Sequence, residues 1–176
     1  MNICIFCSAN DVAQNYQQAA AEFARILAER GHTLVWGGSN KGMMKLIADS
    51  AQNAGGKIIG ISVEFFRKNA RVNADEMIYA PDLASRKIMM EERSDAFVVL
   101  VGGTGSLDEA MEVIELKKYE KHNKPVVFLN TDGFYNPLKE QFEKMRDGGF
   151  LHFPLEKIVE FAETPIELIN ILEKDI

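Results

Sequence analysis

The chain has 176 residues, 47% of them hydrophobic, enough for one compact domain with a full core. Asp and Glu (26) outnumber Lys and Arg (20), and the formal net charge of −6 excludes a protein that grips nucleic acid through a basic face. No apolar run approaches the roughly 20 residues of a membrane span, and Met1-Asn2-Ile3-Cys4-Ile5-Phe6-Cys7 lacks the length and basic start of a signal peptide, so a cytoplasmic protein is expected.

In chain order, Asn2–Cys7 reads as a buried strand. Its Cys4 and Cys7 have C-x-x-C spacing, yet no second Cys/His pair stands at ligand distance in the sequence. A structural role in a reducing compartment is expected, and no metal. Ala13–Arg30 has helical periodicity closed by Gly31, and Thr33–Trp36 is a second strand running into Gly37-Gly38. Trp36 either lines a base pocket or packs in the core, and core packing is expected. A helix from Gly42 to Ala54 stops at Gly55-Gly56, and Lys57–Ser62 forms a third strand. The stretch from Glu64 to Asp75 is polar and irregular, followed by a short apolar piece, Met77–Tyr79.

Pro81 stands where a further helix could begin, one that carries Leu83, Arg86, Lys87, Met90 and Arg93. Ala96–Leu100 is the central strand, and after a glycine loop a helix continues to about His122. Pro125–Leu129, a helix over Tyr135–Met145, a short Ile158–Phe161 strand and a closing helix after Thr164 complete the pattern. Strands separated by helices imply a doubly wound α/β fold: a parallel sheet with helices on both faces, in a single domain over residues 1–176. Ligands of such sheets lie at the carboxyl ends of the strands. A nicotinamide dehydrogenase is excluded, because the first strand leads into Ser8-Ala9-Asn10-Asp11 without G-x-G-x-x-G and the second ends without a ribose-binding acid.

The informative stretch is Val101-Gly-Gly-Thr-Gly-Ser-Leu-Asp-Glu109. Strand, glycine turn and helix start make an anion site, because glycines admit close approach and the first N–H groups of the helix lack partners. Glu109 is the oddity, since a phosphate gains nothing from a nearby carboxylate. Locally it has an innocent explanation: Ser106-Leu107-Asp108-Glu109 spells a capping box, with Ser106 at the N-cap and Glu109 three residues on. Gly37 to Met44 is a second glycine loop on the same sheet edge, and Ser85-Arg86-Lys87 precedes the central strand.

Arg86-Lys87, Ser94-Asp95-Ala96-Phe97, Gly102-Gly103-Thr104-Gly105-Ser106 and Glu109 together resemble the Lonely Guy (LOG) family, whose members were long labelled lysine decarboxylases. The family pairs Arg-Lys with a downstream P-G-G-x-G-T-x-x-E, and the spacing from Arg86 to Glu109 matches without a gap. Ile5-Phe6-Cys7-Ser8, Gly37-Gly38 to Met44 and Ile59-Gly60-Ile61 fall in the family's order. The resemblance implies a phosphoribohydrolase that splits nucleoside 5′-monophosphates, either AMP or cytokinin riboside monophosphates, into free base and ribose 5-phosphate. It implies a Rossmann-like homodimer, no cofactor, and Glu109 and Arg86 as catalytic residues. Phosphate and substrate contacts are implied for Lys87, Gly102, Gly103, Thr104, Gly105, Ser106, Gly37, Gly38 and Ser8.

Departures stand beside the match. Val101 replaces the family's proline, Ser106 its threonine and Lys45 a common glycine, and Glu64 is a weak stand-in for a substrate-contacting glutamate. The competing reading is a binding protein like the molybdenum-cofactor carriers, which would need the N–H cradle without an aligned carboxylate. Lysine decarboxylation has little support, because no lysine stands in a recognisable pyridoxal setting.

Overall fold

The computed structural model describes residues 1–151 and 153–174; of the span expected as one domain, His152, Asp175 and Ile176 lie outside the described residues. The strands are β1 (Asn2–Phe6), β2 (Thr33–Trp36), β3 (Ile58–Val63), β4 (Glu76–Ala80), β5 (Ala96–Val99), β6 (Val126–Leu129) and β7 (Glu160–Ala162). They form one sheet in the order β4-β3-β2-β1-β5-β6-β7, with every pair parallel. The helices are α1 (Gln14–Glu29), α2 (Gly42–Asn53), α3 (Leu83–Glu92), α4 (Thr104–Lys118), α5 (Asn136–Asp147) and α6 (Pro165–Leu172).

Alternation along β1 shows why both faces are covered. Ile3 and Ile5 join Phe23, Leu27, Ile47 and Leu168 in a core under α1, α2 and α6. Cys4 and Phe6 point the other way, into a core with Met90, Val113 and Phe142 under α3, α4 and α5. Both cysteines are free and buried, and burial pushes both thiols up. Trp36 is fully buried, as expected.

Two boundaries differ from the expectation in ways that matter. Glu76–Ala80 is a full strand, held as the sheet edge by pairing with β3 over Ile59 to Val63. Helix α3 starts after Pro81, with the Asp82 carboxylate accepting a hydrogen bond from the Ser85 N–H (2.7 Å). No described helix is long and apolar enough to cross a membrane.

The chain winds outward from β1 to β4, then returns to place β5 on the other side of β1. The carboxyl ends of β1 and β5 are therefore the switch point of the sheet, where the two connections diverge and leave a crevice.

Candidate active site

A cleft of about 400 Å³ opens at this switch point. The end of β1 contributes Ser8 and Asn10, the end of β2 Gly37, Ser39 and Lys41, and the end of β5 Gly103 to Ser106 and Glu109. Arg86 reaches in from α3.

Helix α4 begins earlier than the capping box suggests. Gly103 is the N-cap, Thr104 the first helical residue, and neither Ser106 nor Glu109 has a capping role. The glycines permit this: with Gly102-Gly103 supplying the turn, the backbone enters the helix before Ser106. The N–H groups of Thr104, Gly105 and Ser106 occupy the first turn, without intrahelical acceptors, and these residues line the cleft. Gly102 packs against Ser106, whose hydroxyl would clash with any Cβ at 102. The buried Tyr135 hydroxyl donates to the Leu100 carbonyl (2.8 Å) just before this turn, and Gly102, which does not line the cleft, shapes the turn.

Freed from capping, Glu109 lies in the second turn of α4 and pairs with Arg86 Nη1 at 2.6 Å. Arg86 Nε donates to the Ile61 carbonyl (2.8 Å). Both residues are buried, Arg86 9% and Glu109 7% exposed, yet both line the cleft. Burial raises the Glu109 pKa above its ordinary value, and the Arg86 charge opposes that rise. Gly37 completes the arrangement: a Cβ there would strike Arg86 Nη2, so only glycine at the end of β2 leaves room for the guanidinium.

Other expected contacts are distributed differently. Lys87 stands outside the cleft, with Nζ on Glu112 (2.7 Å) and Asp108 (3.2 Å), tying α3 to α4. These carboxylates raise its pKa, Glu112 foremost. Gly38 turns the chain after β2 with φ +73° and packs on Met77 and Ser62. The start of α2 is not an anion cradle, because the Met43 and Met44 N–H groups donate to the carbonyls of Asn10 (3.3 Å) and Ser8 (3.2 Å). The Ser8 hydroxyl accepts from the Asn10 N–H (3.0 Å), which fixes this loop at the cleft. Glu64 is paired with Arg67 at the surface, away from the cleft, and Lys45 pairs with Asp49 along α2.

Sequence reading missed Met44, Phe66 and Asn69 on the cleft wall. Phe66 and Asn69 belong to a short 3-10 turn, Glu64–Asn69, inside the segment without periodicity. Its polar, irregular sequence gave no sign of function, and only its place after β3 puts it on the ligand edge.

A family model described as "Possible lysine decarboxylase" matches residues 44–172. The chain is 37% identical to a probable cytokinin riboside 5′-monophosphate phosphoribohydrolase of Oryza sativa subsp. japonica, over 98% of this chain and 72% of that protein. It is 35% identical to a cytokinin riboside 5′-monophosphate phosphoribohydrolase of Arabidopsis thaliana, over 98% of this chain and 81% of that protein. Among solved structures, the molybdenum cofactor binding protein of Rippkaea orientalis superposes with TM-score 0.78 at 21% identity, covering 99% of this chain and 96% of that one. The Moco carrier protein of Chlamydomonas reinhardtii gives 0.75 at 24% identity, over 98% and 95% of the two chains. These two likenesses establish the Rossmann-like fold. The sequence matches establish descent: the chain belongs to the Lonely Guy (LOG) family.

Proposed function

We propose that this protein is a nucleoside 5′-monophosphate phosphoribohydrolase, acting on AMP or a cytokinin riboside monophosphate. The carrying observation is the buried Arg86–Glu109 pair opening into the same cleft as the free N–H groups of α4. The names of the relatives point to the same reaction.

In this reading the phosphate sits on the N–H groups of Thr104, Gly105 and Ser106, with the helix dipole behind them. The ribose then lies over Glu109. As the C1′–N bond breaks, its electron pair leaves with the base, which takes up a proton, and positive charge builds on the sugar. The Glu109 carboxylate stabilises that charge and accepts a proton from the water that adds to C1′. The Arg86 charge favours the carboxylate form of Glu109 against its burial and holds it in one orientation. A carrier would have no use for a buried carboxylate aligned on the cleft by an arginine.

We also propose a homodimer in a cytoplasmic setting. Leu83 and Ile88, 51% and 55% exposed on α3, offer an apolar surface beside the site, and two free buried thiols suit a reducing compartment.

The test is a panel of purine, pyrimidine and cytokinin riboside monophosphates, with products separated by chromatography. Release of free base and ribose 5-phosphate is expected from AMP or the cytokinin nucleotide. Tight binding without turnover across the whole panel would make the protein a carrier.

A further inference from the structure

We infer that Phe66, on the same cleft wall as Met44, is the seat of the nucleobase, and that its ring favours a purine. The inference rests on the nucleotide reading of the cleft and adds the part that reading leaves open.

The argument is one of order along the sheet edge. Strand ends follow one another as β5, β1, β2, β3. With neighbouring strands about 4.8 Å apart, the edge from β5 to β3 is roughly 14 Å long. The free N–H groups stand at the β5 end. The Arg86 guanidinium lies across the middle: Nη1 bonds Glu109 on α4, Nη2 fills the space left by Gly37 at the end of β2, and Nε reaches the Ile61 carbonyl in β3. A nucleotide carries phosphate, sugar and base in linear order. With the phosphate at β5 and C1′ at the ion pair, the base extends toward β2 and β3.

There the wall changes character. Met44 from α2 and Phe66 from the turn after β3 face the cleft, with Ser39 and Asn69 at its rim. Phe66 is 49% exposed, so a large aromatic ring stands in water on the wall of a cleft. Phe65 packs behind it, ring centroids 4.5 Å apart.

The segment that follows the ring is also anchored. Ser39 and Ala70 form an antiparallel bridge, the Asn40 N–H donates to the Asn69 carbonyl, and the Arg71 N–H donates to the Gly38 carbonyl, both at 2.8 Å. The buried Arg71 guanidinium then binds Asp49 (2.7 Å), Gln52 and Asn40. This anchoring fixes residues 69–71 against α2 and the β2 loop and keeps the turn that carries Phe66 at the cleft.

Equilibrium binding in a Glu109→Gln background, where the nucleotide stays intact, tests this with AMP, CMP and ribose 5-phosphate. Phe66→Ala should weaken AMP about tenfold, the scale of a lost base–aromatic stack, and CMP less. Ribose 5-phosphate, which has no base, should bind both forms equally, and Phe66→Trp should restore AMP. Unchanged AMP affinity, or equal losses for AMP and ribose 5-phosphate, would overturn the inference. Turnover is read separately on the chain with Glu109 intact. A protein that binds AMP through Phe66 without hydrolysing it would sink the hydrolase and keep the base seat.

Discussion

Glu109 is subject to two opposed effects. Burial favours its neutral acid, while the guanidinium 2.6 Å away favours the carboxylate, and burial prevails. The acid limb of kcat/KM should therefore lie above the ordinary glutamate value of 4.5, with turnover lost as pH falls and the carboxylate takes a proton. Stability runs the opposite way. A raised carboxyl pKa contributes stability that is complete below 4.5 and declines as pH rises through the raised value. Arg86→Ala removes the opposing charge and should shift the acid limb further up; a limb that stays put in a pH–rate profile would assign it to another group. Glu109→Gln should lower kcat by about a hundredfold or more while the protein still folds, the scale of lost acid–base or electrostatic catalysis. A variant that turns over normally would leave Glu109 as nothing more than the counter-ion of Arg86.

At the scale of elements, what matters is how loops and helix starts deliver those side chains. The end of β2 is tested by Gly37→Ala. The added methyl meets Arg86 Nη2, so turnover should fall at least tenfold with a smaller change in melting temperature. Wild-type kinetics would mean that the guanidinium can move aside without harm. The turn before α4 leans on α5 through the Tyr135 hydroxyl, and Tyr135→Phe should cost about 1 kcal/mol in denaturant unfolding by removing one buried hydrogen bond. Helix periodicity and strand runs made nearly every element legible in the sequence, because both faces of a parallel sheet must be apolar. The start of α4 was misread for a local reason. Ser106 and Glu109 have capping-box spacing, but the choice between a cap and an ion pair depends on Arg86, 23 residues away. Lys87 was misplaced similarly: adjacent to Arg86 on α3, it points off the cleft and is held by Glu112 and Asp108.

The whole molecule is organised around the crossing between β1 and β5. Sequence pattern gave the alternation of strands and helices, hence the fold class and the functional edge. It carried no information on which strand ends become neighbours across the cleft, so the wall built from Met44, Phe66 and Asn69 came only from the structure. The proposed dimer is tested on α3, where Ile88→Asp should shift the protein toward monomer in sedimentation velocity; an unaltered dimer would place the contact elsewhere. Two helices begin at the cleft. The Met43 and Met44 N–H groups at the start of α2 are already engaged by the carbonyls of Asn10 and Ser8, and the first N–H groups of α4 are open. Among the described residues the helix starts thus offer one phosphate seat and no prepared neighbour for a second. ADP and ATP, despite their greater charge, should compete for the cleft no better than AMP.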